Sequence, residues 1–203
     1  MNLSEKNGTI SSVCVYCASS PHIVPVYSDV ARQLGRLLVE NGFSCINGAG
    51  KAGLMGALND SILESGGRVT GVIPRFMVDS GWCHPKLSET IVTETMHERK
   101  QTMTQLADAV VALPGGVGTM EELLEIITWK QLGLYRNPIV IANINDYYAP
   151  LFDLFDKMIA ENFMAAAYRD MWQVAASPEE IIGCLKKNTP WNPKGNKYDK
   201  KVL

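Results

Sequence analysis

The chain has 203 residues, 46% of them hydrophobic and 20% charged, and a formal net charge of -2. That is room for one domain with a real core, and no apolar run comes near the length of a membrane span. Residues 1–12 are polar and lack the basic-then-apolar pattern of a secretory leader, so a cytoplasmic protein with no membrane partner is expected.

Charge is unevenly spread. From Lys186 onward six lysines stand against one aspartate, +5, which leaves -7 for the rest. The expected organisation is a short polar N-terminus (1–11), one domain (12–185) and a basic, solvated tail (186–203). With an acidic body, nucleic acid is not an expected partner. The five cysteines, Cys14, Cys17, Cys45, Cys83 and Cys184, are scattered and odd in number, which reads as reduced thiols. Cys14-Val-Tyr-Cys17 has the spacing of a redox or zinc motif, but in a strand residues three apart point to opposite faces. Cys83-His84 has no second ligand pair nearby, so no metal is expected.

Residues 12–18 form a near-continuous apolar run, the mark of a strand buried on both faces of a parallel sheet. Residues 27–40 have helical spacing, with Val30, Leu34, Leu37 and Leu38 on one stripe, and Asn41-Gly42 closes them. After a short strand at 43–46 comes Gly48-Ala-Gly-Lys-Ala-Gly53, a GxGxxG pattern opening a helix at 54–63. A dinucleotide site also wants an acidic residue about 20 positions on. The next strand, 68–73, ends in Pro74-Arg75 instead, which disfavours NAD and leaves a mononucleotide pocket possible. Residues 74–87 read as an irregular lid or binding loop. A strand at 90–93 and a helix at 96–107 follow. In that helix Met96, Arg99, Met103 and Leu106 share a face, so Arg99 lies on the stripe that packs inward. Such a cation needs an anion, either in a structural ion pair with Glu94 or Glu98 or in an anion-lined pocket with Lys100 at its rim.

The apolar run 109–113 then stops at Pro114-Gly-Gly-Val-Gly-Thr-Met-Glu-Glu122, which leads into a helix at 120–132. A turn with three glycines can lay several backbone N–H groups beside the positive end of a helix, which suits a phosphate. Thr119 and Glu122 also spell a capping box. Glu121 and Glu122 in the first helical turn are expected to stay ionised. In the helix, Leu123, Leu124, Ile127 and Gln131 lie on one face and Ile126, Trp129 and Gly133 on another, so one face is expected to meet the sheet and the other a second subunit. Strands at 139–142 and 172–175 and helices at 147–162 and from Ser177-Pro178 complete the alternation. The whole predicts a doubly wound, Rossmann-like parallel α/β sheet of about seven strands, with both glycine-rich turns and Ser19-Ser20 at the carboxyl edge where ligands bind.

The 114–122 motif, preceded by Met96-His-Glu-Arg-Lys100, resembles the paired signature of the LOG ("lonely guy") family. These are cytokinin riboside 5'-monophosphate phosphoribohydrolases, often mislabelled lysine decarboxylases. The likeness extends over Cys17-Ala-Ser-Ser20, Gly48-Ala-Gly-Lys-Ala-Gly-Leu-Met-Gly56, Gly71-Val-Ile-Pro74 and 123–133. It implies an enzyme that hydrolyses the N-glycosidic bond of AMP or its N6-isopentenyl form, without a cofactor, and the second apolar face of the 120–132 helix makes a homodimer the expected assembly. By position it implies that Gly116, Gly118 and Thr119 hold the phosphate, that Arg99 and Glu122 are catalytic, and that Lys100, Glu121 and Thr128 line the site. Ser20, Gly48, Gly50, Met96, Gly115 and Val117 complete the expected nucleotide site. The chemistry agrees, since breaking this bond builds positive charge on the ribose that an ionised Glu122 can stabilise, or Glu122 can activate water. Arg99 can polarise the leaving base or fix the phosphate.

Two departures from the family pattern stand out. Gly48-Ala49-Gly50 replaces three glycines, and Ser80-Gly81 stands where many bacterial relatives carry an Arg-Glu pair before His-Pro, with Asp79 the nearest substitute carboxylate. A lysine decarboxylase would need a Schiff-base lysine and a partner for the pyridine nitrogen. Lys51 is the only lysine in a glycine-rich turn and nothing completes such a site. The stronger rival is a nucleotide or molybdopterin carrier using the same turn without turnover.

Overall fold

The structure, a computed structural model, describes residues 10–187 and Trp191. The expectations for the polar N-terminus and for most of the basic tail lie outside the described residues. Lys186 and Lys187, counted above with the tail, are the last two residues of a helix.

Seven strands form one parallel sheet: β1 (Ser12–Tyr16), β2 (Ser44–Asn47), β3 (Val69–Pro74), β4 (Glu89–Thr93), β5 (Ala109–Ala112), β6 (Ile139–Ala142) and β7 (Gln173–Ala175). Their order is β4-β3-β2-β1-β5-β6-β7. The chain therefore builds outward from β1 to one edge, returns, and builds the other half from β5. The register pairs Val13 with Ala109 and Tyr16 with Ala112. Where the winding reverses, the carboxyl ends of β1 and β5 sit side by side, the position at which open α/β sheets bind their ligands.

Alternation along the strands loads both faces. Val13 and Val15 of β1 enter one core with Leu34, Leu38, Leu58 and Ile181, from α1 (Pro25–Glu40), α2 (Gly53–Glu64) and α7 (Pro178–Lys187). Cys14 and Tyr16 enter the other with Met103, Leu123 and Phe155, from α4 (Met96–Leu106), α5 (Val117–Gln131) and α6 (Ala149–Ala160). This is why β1, β5 and β6 read as unbroken apolar runs. Each fully buried leucine contributes about 1.5–3 kcal/mol. Cys14 and Cys17 lie in opposite cores, so that pair cannot act as a redox or metal motif. Among the described residues no group of three or more His, Cys, Asp or Glu is placed to hold a metal ion, and no helix is long and apolar enough to cross a membrane.

Two local expectations need correction. The segment 74–87 is not irregular throughout: it holds a short helix, α3 (Arg75–Asp79), and Cys83 forms an antiparallel bridge with Gly50. The two apolar faces of α5 also divide differently. Leu123, Ile126 and Ile127 are all buried and Trp129 packs against the same core, so the stripe this helix buries is wide enough to take in residues of both predicted faces. Leu124, and Leu132 and Leu134 just past the helix end, are exposed at 41%, 41% and 52%.

Candidate active site

β5 ends at Ala112, and the chain turns through Leu113, Pro114 and Gly115 into α5, whose N-cap is Gly116. The helix begins three residues earlier than the sequence pattern implies. Thr119 is thus its third residue, and neither Glu121 nor Glu122 lies in the first turn. The expected capping box does not form, because Gly116 occupies the cap position and has no side chain to offer. The amides of Val117, Gly118 and Thr119 are therefore donors with neither an intrahelical acceptor nor a side-chain cap.

The three glycines of this turn do different things. A Cβ on Gly115 would lie 2.1 Å from the Thr119 hydroxyl, so that glycine makes room for a buried threonine. Gly116 and Gly118 have nothing within 4 Å of their missing Cβ. A ligand can approach those two backbones directly. Thr119 turns its side chain inward and presents only its amide.

Glu122 is buried one turn into α5, facing Arg99 of α4. Arg99 Nη1 donates to Glu122 Oε1 at 3.0 Å, with both side chains under 10% exposed (8% and 9%). Arg99 Nε donates to the Val72 carbonyl at 3.0 Å. Of the expected alternative partners, Glu98 is engaged elsewhere. Glu98 accepts from the Glu94 amide at 2.9 Å while Thr95 caps its own amide at 3.1 Å. Burial pushes the Glu122 carboxyl above its ordinary value, opposed by the Arg99 charge. The helix end is therefore not its nearest positive charge: Glu122 lies beyond the first turn, and the Arg99 guanidinium is what favours its ionised form.

The second glycine-rich turn, after β2, forms the floor beneath this pair. A Cβ on Gly48 would sit 1.9 Å from Arg99 Nη2, so Gly48 gives the guanidinium its place. The Gly50 amide points at the Met55 sulfur, 2.9 Å away. Gly53 has φ of +63°, and a Cβ there would meet the Ser20 carbonyl at 2.5 Å, which docks the exposed Ser20 loop onto this turn. Ala49 also has positive φ, 63°, and is fully buried.

Outside the pair, Lys100 bridges Glu121 and Glu125, the latter at 3.1 Å. Burial acts to lower its pKa, but its hydrogen bonds to the two carboxylates, together with their charges, outweigh that and raise it. Thr128 does not join Glu122. It is exposed on α5, and its hydroxyl donates to the Leu124 carbonyl at 2.8 Å. Met96 is 37% exposed at the start of α4. Asp79 ends α3 and is exposed.

Several residues that hold the site had no signal in the sequence. His84 is buried, its Nε2 at 3.0 Å from Asp60 Oδ1, and its Nδ1 accepts from the Lys86 amide at 3.2 Å. With the His84 amide on the Ala49 carbonyl (2.8 Å) and the Lys51 amide on the Trp82 carbonyl (3.1 Å), it latches the loop onto the Gly48 turn. Tyr147 and Tyr148 donate their hydroxyls to the carbonyls of Gly115 (2.6 Å) and Leu113 (2.7 Å). Apart from the local Lys86–His84 bond, these contacts span 24 to 35 residues, beyond any local pattern.

A family model described as "Possible lysine decarboxylase" matches residues 55–185. In Oryza sativa subsp. japonica, "Probable cytokinin riboside 5'-monophosphate phosphoribohydrolase LOGL1" is 40% identical over 182 residues, 90% of this chain and 82% of that protein. "Cytokinin riboside 5'-monophosphate phosphoribohydrolase LOG7" of Arabidopsis thaliana is 37% identical over 188 residues, 93% of this chain and 87% of that one. The chain belongs to the LOG family. Two solved structures share the fold at low identity. The molybdenum cofactor binding protein from Rippkaea orientalis has a TM-score of 0.66 at 20% identity, covering 90% of this chain and 98% of its own. The molybdenum cofactor carrier protein of Chlamydomonas reinhardtii reaches 0.67 at 19%, covering 87% and 96%. In this LOG family chain Lys51, the lysine a decarboxylase would need, is exposed in its turn.

Proposed function

We propose that the protein hydrolyses the N-glycosidic bond of a purine nucleoside 5'-monophosphate, AMP or its N6-prenylated form. The bond from C1' to the base nitrogen breaks. Water supplies hydroxide to C1' and a proton to the departing base, giving free base and ribose 5-phosphate. The observation that carries this reading is a buried Glu122–Arg99 pair, 3.0 Å apart, beside the open amides at the start of α5. The amides of Gly116, Val117, Gly118 and Thr119 hold the 5'-phosphate at the positive helix end. Glu122, in its ionised form, stabilises the charge that grows on the ribose or activates the attacking water. Arg99, bonded to Val72 and lying on Gly48, orients Glu122 and lowers its pKa against burial. No step calls for a metal or organic cofactor.

A carrier of the same fold would need the amides but not a buried carboxylate beside them, since burying that charge is costly without a chemical use. Incubation with AMP and with N6-isopentenyl-AMP, reading free base, tests the proposal. Release of base by wild type and its loss in Glu122→Gln support it. Nucleotide binding without any base release would favour the carrier. The exposed Leu124, Leu132 and Leu134 favour a homodimer built over the outer side of α5, to be checked by sedimentation. The five unpaired cysteines fit a reducing, cytoplasmic compartment.

A further inference from the structure

Three consecutive carbonyls of the motif turn are held from behind. Leu113 O accepts from the Tyr148 hydroxyl at 2.7 Å, Pro114 O from the Ala18 amide at 3.3 Å, and Gly115 O from the Tyr147 hydroxyl at 2.6 Å. The described peptides are all trans. In a trans peptide the N–H points opposite to its C=O, so whatever grips a carbonyl also aims the next residue's amide. The two tyrosines then differ sharply. Tyr148 grips the peptide that ends in Pro114, which has no N–H to aim. Tyr147 grips the peptide between Gly115 and Gly116, and so directs the Gly116 amide away from itself and toward the open side of the turn.

That peptide needs a grip. It is flanked by two glycines, which place no Cβ in the way of a peptide flip, and Gly116 faces open space. A flipped peptide would turn a carbonyl toward a bound anion where a donor is required. Tyr147 itself is placed with care. Asn145 and Asp146 before it both have positive φ, 50° and 56°, a conformation these residue types tolerate. Its ring packs edge-on against Tyr148 at 5.1 Å and Tyr27 at 5.9 Å.

From this we infer that Tyr147 is a positioning residue for the phosphate site: its hydroxyl locks the Gly115–Gly116 peptide with the amide facing the substrate. The inference rests on the reading that this turn takes the 5'-phosphate. Its test compares wild type, Tyr147→Phe and Tyr148→Phe, each keeping the ring. Calorimetry measures ribose 5-phosphate affinity, inhibition measures adenine affinity, and steady-state kinetics on the active monophosphate separate KM from kcat. Tyr147→Phe should weaken ribose 5-phosphate and raise KM on the order of tenfold, the worth of one hydrogen bond to a charged group. Adenine inhibition should stay unchanged and kcat should move little. Tyr148→Phe should lower the melting temperature more than Tyr147→Phe does, because its lost bond is buried, while leaving phosphate affinity intact. Unchanged ribose 5-phosphate affinity in Tyr147→Phe, or equal losses for phosphate and adenine, would overturn the inference alone. A wild-type protein that binds no ribose 5-phosphate would overturn it together with the phosphate reading.

Discussion

The two glycine-rich turns look alike in sequence and serve opposite purposes. After β2, every glycine face is taken by the protein itself: Gly48 by the Arg99 guanidinium, Gly50 by Met55, Gly53 by the Ser20 loop. After β5, Gly115 accommodates Thr119, but Gly116 and Gly118 face open space above unpaired helix amides. Close approach to a glycine backbone is made by side chains and a loop after β2, and after β5 it is left open, as the proposed phosphate site requires. A glycine motif therefore marks a site only when its glycine faces remain open.

The strongest test of this division is the carboxylate that lies between the turns. Glu122→Gln keeps the shape and should lower kcat by about 10²–10⁴-fold, measured as base released from the monophosphate. A fully active variant would remove Glu122 from the chemistry. Next, Gly48→Ala should damage activity through the floor. Its methyl would land 1.9 Å from Arg99 Nη2, displacing the group that orients Glu122, so kcat should fall while ribose 5-phosphate still binds. Gly116→Ala is the mirror case. With φ of -81° and open space around it, the variant should fold with stability within about 0.5 kcal/mol of wild type. Phosphate affinity should nonetheless drop about tenfold or more, because the methyl occupies the ligand's approach. If Gly48→Ala loses phosphate binding and Gly116→Ala keeps it, the assignment of the two turns is reversed.

A smaller effect is expected with pH. Burial raises the Glu122 pKa above 4.5, so the ionised form that the chemistry uses is lost earlier on acidification. The acidic limb of kcat/KM should lie above the ordinary carboxylate value. Stability runs the other way. With the folded-state pKa raised above the unfolded one, the contribution of Glu122 to stability is complete below the unfolded value and is lost as pH rises through the folded one. Thermal unfolding of wild type against Glu122→Gln across that window would show the wild type losing ground as pH increases. An acidic limb at or below 4.5 would contradict the burial argument. The smallest effect should come from Ala49→Gly. Relief of a positive φ, worth about 1–2 kcal/mol, is largely offset by backbone entropy and the loss of a buried methyl, so stability should change by under about 1 kcal/mol.

Much of the scaffold was legible in the chain before any coordinates. Buried parallel strands write themselves as short apolar runs, and amphipathic helices as a 3.6-residue stripe, so the alternation over residues 12–187 could be read directly. Boundaries were less secure where glycine blurs them. Gly116 caps α5 without a side chain, so the Thr119-Glu122 pattern looked like a cap and was instead interior helix. The sequence could place Arg99 on an inward face but could offer it only near neighbours, Glu94 and Glu98. Folding paired it with Glu122, 23 residues away.

By itself the sequence determined the elements, their order and the presence of an anion-suited turn at a strand end, because these depend on spacings of one to seven residues. Tertiary structure alone decided which glycine faces stay open, which carboxylate meets Arg99, and that Tyr147, Tyr148 and His84 hold the turns in place. Those outcomes arise from chain segments brought together by packing of the two cores, and no local pattern encodes a contact made across the sheet.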